Sequence, residues 1–345
     1  MSFLYILLAV LGFGVLIFIH ELGHFITARL CHVKVYEFAI GMGPKLVWYE
    51  SKKSGITYSL RMFPFGGYVS MAGEDDEANE PDALPNKKPL ARLLISAAGG
   101  LMNLLLGIVL ILTYVLATPI GTTTVAELAP EYDAIERPLD QRLLIGDDII
   151  AVDGTRVHIA ADLLYQVSRK GIEPVDVEIE RNGERMVIKD VRVPTYEAEG
   201  QTMGDAFFKV ARGEKTFASV CHQTFYSGVN LVRMVFETIF DLVTGRYTVD
   251  AVSGPVGAAG VMSEVASVSM ISFMYLLAAI SINLGIFNLL PIPALDGFRV
   301  LFVLIELIFR RPVPRKIEQK INQVGLIVLL LLMILITCKD IVKIF

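Results

Sequence analysis

Long apolar segments and polar segments alternate along the chain. A membrane-spanning helix needs about 17 to 25 predominantly apolar residues. Four segments meet this length: Phe3–Ile19 with a helical continuation to Leu30, about Leu93–Thr118, about Met270–Leu290 and about Ile321–Cys338. The apolar stretch Val300–Phe309 is too short to cross alone and contains Glu306. The pattern predicts a polytopic α-helical membrane protein with four transmembrane helices.

The first apolar segment has a competing interpretation as a signal peptide. Three features favour a retained helix. No basic residue precedes Phe3, no small-residue cleavage site follows the segment, and the segment leads into His20-Glu21-Leu22-Gly23-His24. We therefore expect the first segment to stay in the mature protein.

Alternating strands and turns fill the long stretch between the second and third apolar segments. The run Gly-Asp-x-Ile-x-x-Val-x-Gly occupies positions 146–154, a helix fits about Ala160–Lys170, and Asn182-Gly183 joins two strands as a hairpin turn. The run resembles that of a PDZ domain, which predicts an inserted α+β PDZ-like domain. An unrelated small β-rich domain is the alternative. The charged segment Glu131–Arg142 offers no recognisable loop for binding a peptide carboxylate.

A further apolar segment, Thr216–Val243, carries three charged residues. Arg233, Glu237 and Asp241 are spaced i, i+4, i+8 and so share one helical face. This pattern favours an amphipathic helix on the membrane surface over a fifth span. The predicted units are a first membrane half (1–120), the PDZ-like domain (121–195), the surface helical segment (196–265) and a second membrane half (266–345).

Charge and composition refine this picture. Hydrophobic residues make up 54% and charged residues 19% of the chain, below the quarter that is usual in soluble domains. The segment Arg29–Arg92 holds nine Lys and Arg, and Arg299–Lys320 holds six, so both are predicted to be cytoplasmic. Both termini and the inserted domain then lie outside the cytoplasm. The net charge of −5 gives no reason to expect a nucleic-acid partner.

The sequence His20-Glu21-Leu22-Gly23-His24 fits the metal-binding pattern His-Glu-x-x-His. Two histidines four residues apart on a helix can reach one metal, and Glu21 lies beside that metal in the position of a base. A catalytic zinc needs a third protein ligand and lowers the pKa of its water. Ionisable residues at the end of an apolar helix are typical of function. An interfacial cluster that reaches the lipid headgroups is the competing interpretation.

The third ligand has two acidic candidates. Asp296 follows two prolines in the helix-broken stretch Asn288–Gly297, and Glu306 lies in a regular helix ten residues later. Non-helical backbone at membrane depth is tolerated where it lines a cavity, which favours Asp296. A helix-capping role for Asp296 is the alternative.

These motifs together resemble the site-2 protease family, above all its bacterial members with one PDZ domain. They are His20–His24 in the first span, the small-residue segment Gly99–Asn103 in the second, and Asn288-x-x-Pro-x-x-x-Leu-Asp-Gly297 in the third. The segments Phe65–Val69 and Ser253–Gly257 match as well. Two positions depart from the family pattern, because Phe298 replaces a second glycine and Gly100 replaces a proline.

The resemblance implies a site, a cofactor and a class of substrates. It makes His20, His24 and Asp296 the ligands of one Zn²⁺, Glu21 the general base and Asn288 a residue that positions substrate. It implies residence in the cytoplasmic (inner) membrane of a bacterium. The expected substrates are transmembrane helices of anti-sigma-factor-like proteins and remnant signal peptides, cleaved after a first cut by a site-1-type protease.

The stretch Lys45–Met71 predicts short strands at Lys45–Tyr49, Ile56–Arg61 and Tyr68–Met71, with Gly55 and Gly66-Gly67 at turns. An exposed strand edge here could pair with an unwound substrate, so Gly66, Gly67 and Tyr68 are candidate substrate-binding residues. The family resemblance supports a membrane-associated β-loop, and an ordinary cytoplasmic hairpin is the alternative.

Two other functions are compatible with intramembrane ionisable residues. A zinc-dependent transporter would also hold metal ligands at membrane depth, but the sequence has no inverted repeat. An inactive scaffold that presents a PDZ-like module would not need His20, Glu21, His24 and Asp296 to be intact.

Overall fold

The computed structural model describes residues 3–74, 80–133, 138, 141–198, 201–246, 254–311 and 313–344. The helices are α1 (Phe3–Leu30), α2 (Pro89–Ala117), α3 (Pro130–Asp133), α4 (Ala160–Lys170), α5 (Phe217–Val243), α6 (Pro255–Val268), α7 (Met270–Leu289), α8 (Asp296–Phe309) and α9 (Arg315–Ile344). The strands are β1 (Val35–Glu50), β2 (Thr57–Met71), β3 (Ile120–Leu128), β4 (Asp148–Val152), β5 (Thr155–Arg156), β6 (Val175–Arg181), β7 (Glu184–Val191), β8 (Thr195–Ala198), β9 (Gln201–Gly204) and β10 (Phe208–Gly213).

Four of the described helices are long and apolar enough to cross a membrane. They are α1, α2, α7 and the part of α9 from Lys316 to Val342. The four predicted spans therefore coincide with four candidate membrane-spanning helices, as judged by length and composition. Helix α5 is not among the four.

The chain forms two compact units, Met1–Leu110 with Ser253–Phe345, and Ile111–Val252. In the first unit, small residues let the apolar helices approach closely. A Cβ on Gly23 of α1 would lie 2.6 Å from the carbonyl oxygen of Ala98 in α2. A Cβ on Gly100 of α2 would lie 2.9 Å from the carbonyl oxygen of Gly285 in α7. Such contacts are the usual basis of helix packing in lipid, where no hydrophobic effect drives association. Gly100 thus supplies an α2–α7 contact.

Strands β1 and β2 bend sharply and form a small antiparallel sheet. Glu37 of β1 stands opposite both Ser70 and Thr57 of β2, so the first part of β1 is paired on both sides. The paired segments run in the order 67–71, 35–40, 57–60 and 45–50. Gly41, Gly43 and Gly66 have φ between 81° and 86° at the bends, a conformation that favours glycine. The predicted segments Lys45–Tyr49 and Tyr68–Met71 lie within these longer strands, and the predicted segment Ile56–Arg61 begins one residue before β2.

The second unit contains the inserted domain. Its sheet has the order β10-β3-β4-β6-β7, with β5 paired to β4, and its buried core includes Ile149, Leu163 and Ile179. The predicted helix Ala160–Lys170 is confirmed as α4. Strand β10 pairs with β3 although it lies beyond residue 195, where the sequence places the end of the domain. Local pattern could not reveal this pairing, because the partners are about 85 residues apart. Part of the charged segment Glu131–Arg142 lies outside the described residues.

Helix α5 directs its three charged residues toward α4 of the same unit. Arg233 Nη1 lies 2.7 Å from Asp162 Oδ1, Glu237 accepts a hydrogen bond from Gln166, and Asp241 pairs with Arg169. The apolar residues on the rest of α5 include several that are strongly exposed: Phe225, Phe236, Phe240 and Val243. The position of α5 on the membrane surface stays a prediction. The charged face of α5 packs against α4 of the inserted domain.

Candidate metal centre

Three side chains from two distant parts of the sequence meet in the first unit. His20 and His24 lie one turn apart on α1, and both are buried. Asp296 Oδ2 lies 3.0 Å from His20 Nε2 and 3.1 Å from His24 Nε2. The two Nε2 atoms are 3.3 Å apart. Across the described residues, this is the one group of three or more His, Cys, Asp or Glu that could hold a metal ion, with the ligand atoms within 4.8 Å of one another.

Asp296 reaches the histidines because the chain breaks between α7 and α8. Pro291 and Pro293 cannot continue a helix, and Ala294 has a φ of 74°. The backbone N–H of Ala294 donates to Asn322 Oδ1 at 3.1 Å, which ties the break to α9. Asp296 is then the first residue of α8, whereas the N-cap position belongs to Leu295. Asp296 is therefore not the cap of its helix.

Gly297 and Phe298 follow Asp296 with different roles. A Cβ on Gly297 would lie 2.1 Å from the carbonyl oxygen of Leu290, so only glycine fits beside the helix break. Phe298 is buried and packs edge-on against Phe302, with ring centroids 4.5 Å apart. Phe298 stands where the family pattern has a second glycine, and its ring is accommodated by packing against Phe302.

Helix α2 supports both imidazole rings. His24 Nδ1 lies 2.8 Å from the carbonyl oxygen of Ile95, an arrangement in which Nδ1–H donates and leaves Nε2 free for a metal. Asn103 Nδ2 lies 3.3 Å from His20 Nδ1. Between them, a Cβ on Gly99 would lie 2.3 Å from His24 Nε2. Two imidazoles and a carboxylate, with an outer hydrogen-bond partner at each ring, match the donor set of a zinc site.

A cavity of about 410 Å³ opens beside these residues. Its lining residues are His20, Glu21, His24, Tyr68, Val69, Met71, Glu74, Leu84, Ile95, Ser96, Ala294, Leu295, Asp296, Arg299, Asn322, Gln323 and Leu326. Glu21 thus shares the cavity with the three candidate ligands. A Cβ on Gly67 would lie 3.1 Å from Glu21 Cγ and 2.9 Å from the carbonyl oxygen of Ala39, so Gly67 lets the sheet edge approach Glu21.

A charged network holds the small sheet next to the cavity. Glu37 accepts hydrogen bonds from Ser59 at 2.6 Å and from Arg61 at 3.0 Å, and Lys45 Nζ lies 3.0 Å from its other oxygen. Arg61 also donates to the hydroxyl of Tyr68. Burial alone would raise the pKa of the Glu37 carboxyl, but the bonds from Ser59, Lys45 and Arg61 outweigh it and lower that pKa to about 2. Tyr68 is therefore fixed at the cavity wall by a stable ionic cluster.

Arg299 and Glu74 form an ion pair at the cavity wall that sequence patterns alone do not predict. Both residues also line a second, neighbouring cavity of about 460 Å³. Arg299 lies three residues after Asp296 and so shares its face of α8, which is the signal that could have pointed to it. The sequence indicates that Gly99 and Asn103 belong to a small-residue segment, but it does not reveal their contacts with the histidines.

The remaining predicted residues lie as follows. Asn288 donates to the carbonyl oxygen of Leu284 in its own helix at 3.0 Å, and the described cavity lining does not include it. Gly66 lies at a bend of β2, and Tyr68 lines the cavity. Glu306, the rival third ligand, pairs with Arg92 instead of approaching the histidines.

Comparison with known proteins gives a consistent assignment. The sequence profile of peptidase family M50 matches residues 8–332. A Clostridium perfringens protein assigned as a zinc metalloprotease is 35% identical across 98% of this chain and 99% of its own length. Geobacillus kaustophilus zinc metalloprotease RasP is 31% identical across 96% of both chains. Bacillus subtilis regulator of sigma-W protease RasP is 29% identical across 96% of this chain and 97% of its own. With four apolar helices and one candidate metal group in the described chain, these matches show that the protein belongs to peptidase family M50, the site-2 proteases, and is an intramembrane zinc metalloprotease.

Proposed function

We propose that His20, His24 and Asp296 hold the zinc and that Glu21 is the general base for hydrolysis of membrane-embedded peptide bonds. The observation that carries this proposal is the meeting of the three ligand atoms within 4.8 Å beside a cavity that Glu21 also lines. Zinc, when bound, supplies a Lewis acid that polarises the scissile carbonyl and acidifies water. The Glu21 carboxylate takes a proton from the attacking water and passes it to the leaving amide nitrogen.

The substrate is a transmembrane helix that is locally unwound before cleavage. The segment 67–71 of β2 is the edge of the small sheet on the side of the cavity, and no third strand pairs with it among the described residues. An extended peptide would add to this edge through backbone hydrogen bonds, with Gly66, Gly67 and Tyr68 in contact with it. Asn288 would hold the substrate backbone after releasing Leu284, because its amide both donates and accepts.

The natural substrates are single-span membrane proteins, such as anti-sigma factors, and remnant signal peptides, taken after another protease has removed their outer part. The name of the Bacillus subtilis relative, a regulator of sigma-W protease, supports the first class. The inserted domain, between α2 and α5, would exclude substrates that still carry a folded part. Its helix α4 is held by α5 through three ion pairs among the described residues, which supports exclusion by size over capture of a free carboxyl terminus.

Orientation and domain type complete the proposal. The inserted domain is PDZ-like, on the strength of its Gly146–Gly154 run and of helix α4. The protein lies in the cytoplasmic (inner) membrane of a bacterium, with both termini and this domain outside the cytoplasm. The excess of Lys and Arg in Arg29–Arg92 and Arg299–Lys320 supports this orientation.

Excision of the inserted domain tests size exclusion. Ile120 and Gly213 are paired neighbours at the two ends of the domain, so residues 121–212 can be replaced by a short Gly-Ser linker. The full chain and the excised chain are each given a single-span reporter, either intact or trimmed of its outer domain. Exclusion predicts that the excised chain cuts both reporters and that the full chain cuts only the trimmed one. Loss of cleavage of the trimmed reporter in the excised chain would instead indicate recruitment and contradict exclusion.

A further inference from the structure

Asn103 is a fully buried polar residue in the middle of an apolar helix. Its side-chain Oδ1 has no hydrogen-bond partner among the described residues, whereas its Nδ2 lies 3.3 Å from His20 Nδ1. A buried amide oxygen without a hydrogen-bond partner destabilises the fold, because the oxygen has lost its water and gained nothing in return. The contact between Asn103 Nδ2 and His20 Nδ1 therefore needs a chemical explanation.

The chemistry of a metal-binding imidazole supplies the reason. If His20 Nε2 gives its lone pair to zinc, the ring proton must be on Nδ1, and Nδ1–H needs an acceptor. An amide nitrogen cannot accept that proton. Rotation of the Asn103 amide by 180° exchanges its oxygen and nitrogen in nearly the same volume. Oδ1 then accepts from His20 Nδ1–H, and Nδ2 takes the place where Oδ1 stood.

We propose that Asn103 is a positioning residue that accepts a hydrogen bond from His20 Nδ1–H and thereby holds His20 in the tautomer that binds zinc. This inference rests on the proposed ligand role of His20. It concerns the chain's own residue and adds a determinant of metal affinity that lies outside the His-Glu-x-x-His motif.

The placement of Asn103 supports the role independently of the amide. Residues 95, 99 and 103 are spaced i, i+4, i+8, so they share one face of α2. The carbonyl oxygen of Ile95 lies 2.8 Å from His24 Nδ1, and the absence of a side chain at Gly99 lets α2 approach both imidazoles. The backbone oxygen of Asn103 accepts from the buried hydroxyl of Ser281 in α7 at 2.8 Å, which fixes this turn of α2. One helix face thus serves both rings, by a backbone acceptor for His24 and a side-chain acceptor for His20.

The test compares Asn103→Leu, which removes the acceptor at similar volume, with Asn103→Asp, which keeps an acceptor oxygen. Zinc affinity is measured by chelator competition on the purified full-length chain. Loss of an outer-shell partner costs about 10- to 100-fold in metal affinity. We expect a loss of this size in Asn103→Leu and an affinity near that of the natural chain in Asn103→Asp.

Asn230→Leu is the matched control. Asn230 of α5 is also a buried asparagine whose Oδ1 has no partner among the described residues, and it lies in the other compact unit. We expect Asn230→Leu to leave zinc affinity unchanged. Unaltered zinc affinity in Asn103→Leu would overturn the proposal, as would an equal loss in Asn103→Asp.

His20→Ala separates this inference from the proposed function. If His20→Ala loses zinc while Asn103→Leu keeps it, only the role of Asn103 is wrong. If His20→Ala keeps full zinc affinity, the ligand assignment itself fails.

Discussion

Gly99 of α2 lies directly against His24 of α1, with no space for a side chain between them. A Cβ at position 99 would stand 2.3 Å from His24 Nε2 and 2.7 Å from His20 Nε2. Both nitrogens are the atoms that face Asp296. The absence of a side chain at residue 99 is therefore a condition for the candidate metal centre.

Gly99→Ala should weaken zinc binding, because the new methyl group would collide with the ligand atoms of His20 and His24. We expect at least about a tenfold loss of zinc affinity and a matching loss of cleavage, by analogy with disruption of outer-shell support. Gly260→Ala is the control, since a Cβ at Gly260 of helix α6 meets nothing within 4 Å. That change should be neutral or stabilise by up to about 1 kcal/mol through helix propensity. The zinc content of both purified variants is the measurement. Normal zinc content in Gly99→Ala would contradict the claim that a side chain at residue 99 collides with the ligand atoms.

Glu37→Gln should destabilise the small sheet by removing the anion that holds Lys45 and Arg61. The Glu37 pKa of about 2 is below its ordinary value of 4.5, so its stabilising effect is complete above pH 4.5 and is lost as pH falls toward 2. The difference in unfolding temperature between the natural chain and Glu37→Gln should be constant from about pH 6 to 9 and shrink below about pH 4. Trp48 is the single tryptophan and stands opposite Ser59, so its fluorescence reports on this sheet. A difference that changes between pH 6 and 9 would show that another group dominates.

The ion pair between Arg169 and Asp241 should couple α4 to α5 strongly. Its two hydrogen bonds are 2.8 and 2.9 Å long, and only 2% of the Asp241 side chain is exposed. Removing one partner of such a buried pair costs about 3–5 kcal/mol, because the other charge stays buried. A double-mutant cycle with Arg169→Ala and Asp241→Ala should give a large coupling energy in equilibrium unfolding.

The pair Lys209–Glu127 provides the comparison for that cycle. These two side chains are 3.0 Å apart, a similar distance, but are 74% and 60% exposed. Their coupling should be below about 1 kcal/mol, as is usual for surface ion pairs. Equal coupling energies in the two cycles would mean that α5 is not held on the domain by Arg169.

Local sequence pattern predicts part of the site, and the rest depends on contacts between segments that are distant in sequence. The spacing of His20 and His24 follows from helix geometry, and the two prolines before Asp296 mark the break that brings a carboxylate to them. The partner of each charged residue on α5 could not be predicted, since an i, i+4 pattern defines a shared face and not what packs on it. The contact between Asn103 and His20 could not be predicted either, because it depends on the approach of α2 to α1. Strand β10 was missed for the same reason, since its partner β3 is distant in sequence.

Reporter fusions test the proposed orientation in the membrane. Lys53 is exposed near the turn between β1 and β2, and Gly183 lies in the β6–β7 turn with open space around it. The excess of Lys and Arg in Arg29–Arg92 predicts that Lys53 faces the cytoplasm and Gly183 the opposite side. A reporter active only in the cytoplasm should therefore work at Lys53 and fail at Gly183. Activity at both positions would contradict the four-span topology.

The metal content of purified Glu21→Gln, measured together with its cleavage of a single-span substrate, tests the central claim most directly. Glu21 is assigned to proton transfer and not to metal binding, so one zinc per chain should remain while cleavage falls by about 10²- to 10⁴-fold. His20→Ala, measured alongside, should lose both. A Glu21→Gln protein that lacks zinc, or that cleaves at a near-normal rate, would contradict the assignment of His20, His24 and Asp296 as ligands and Glu21 as base.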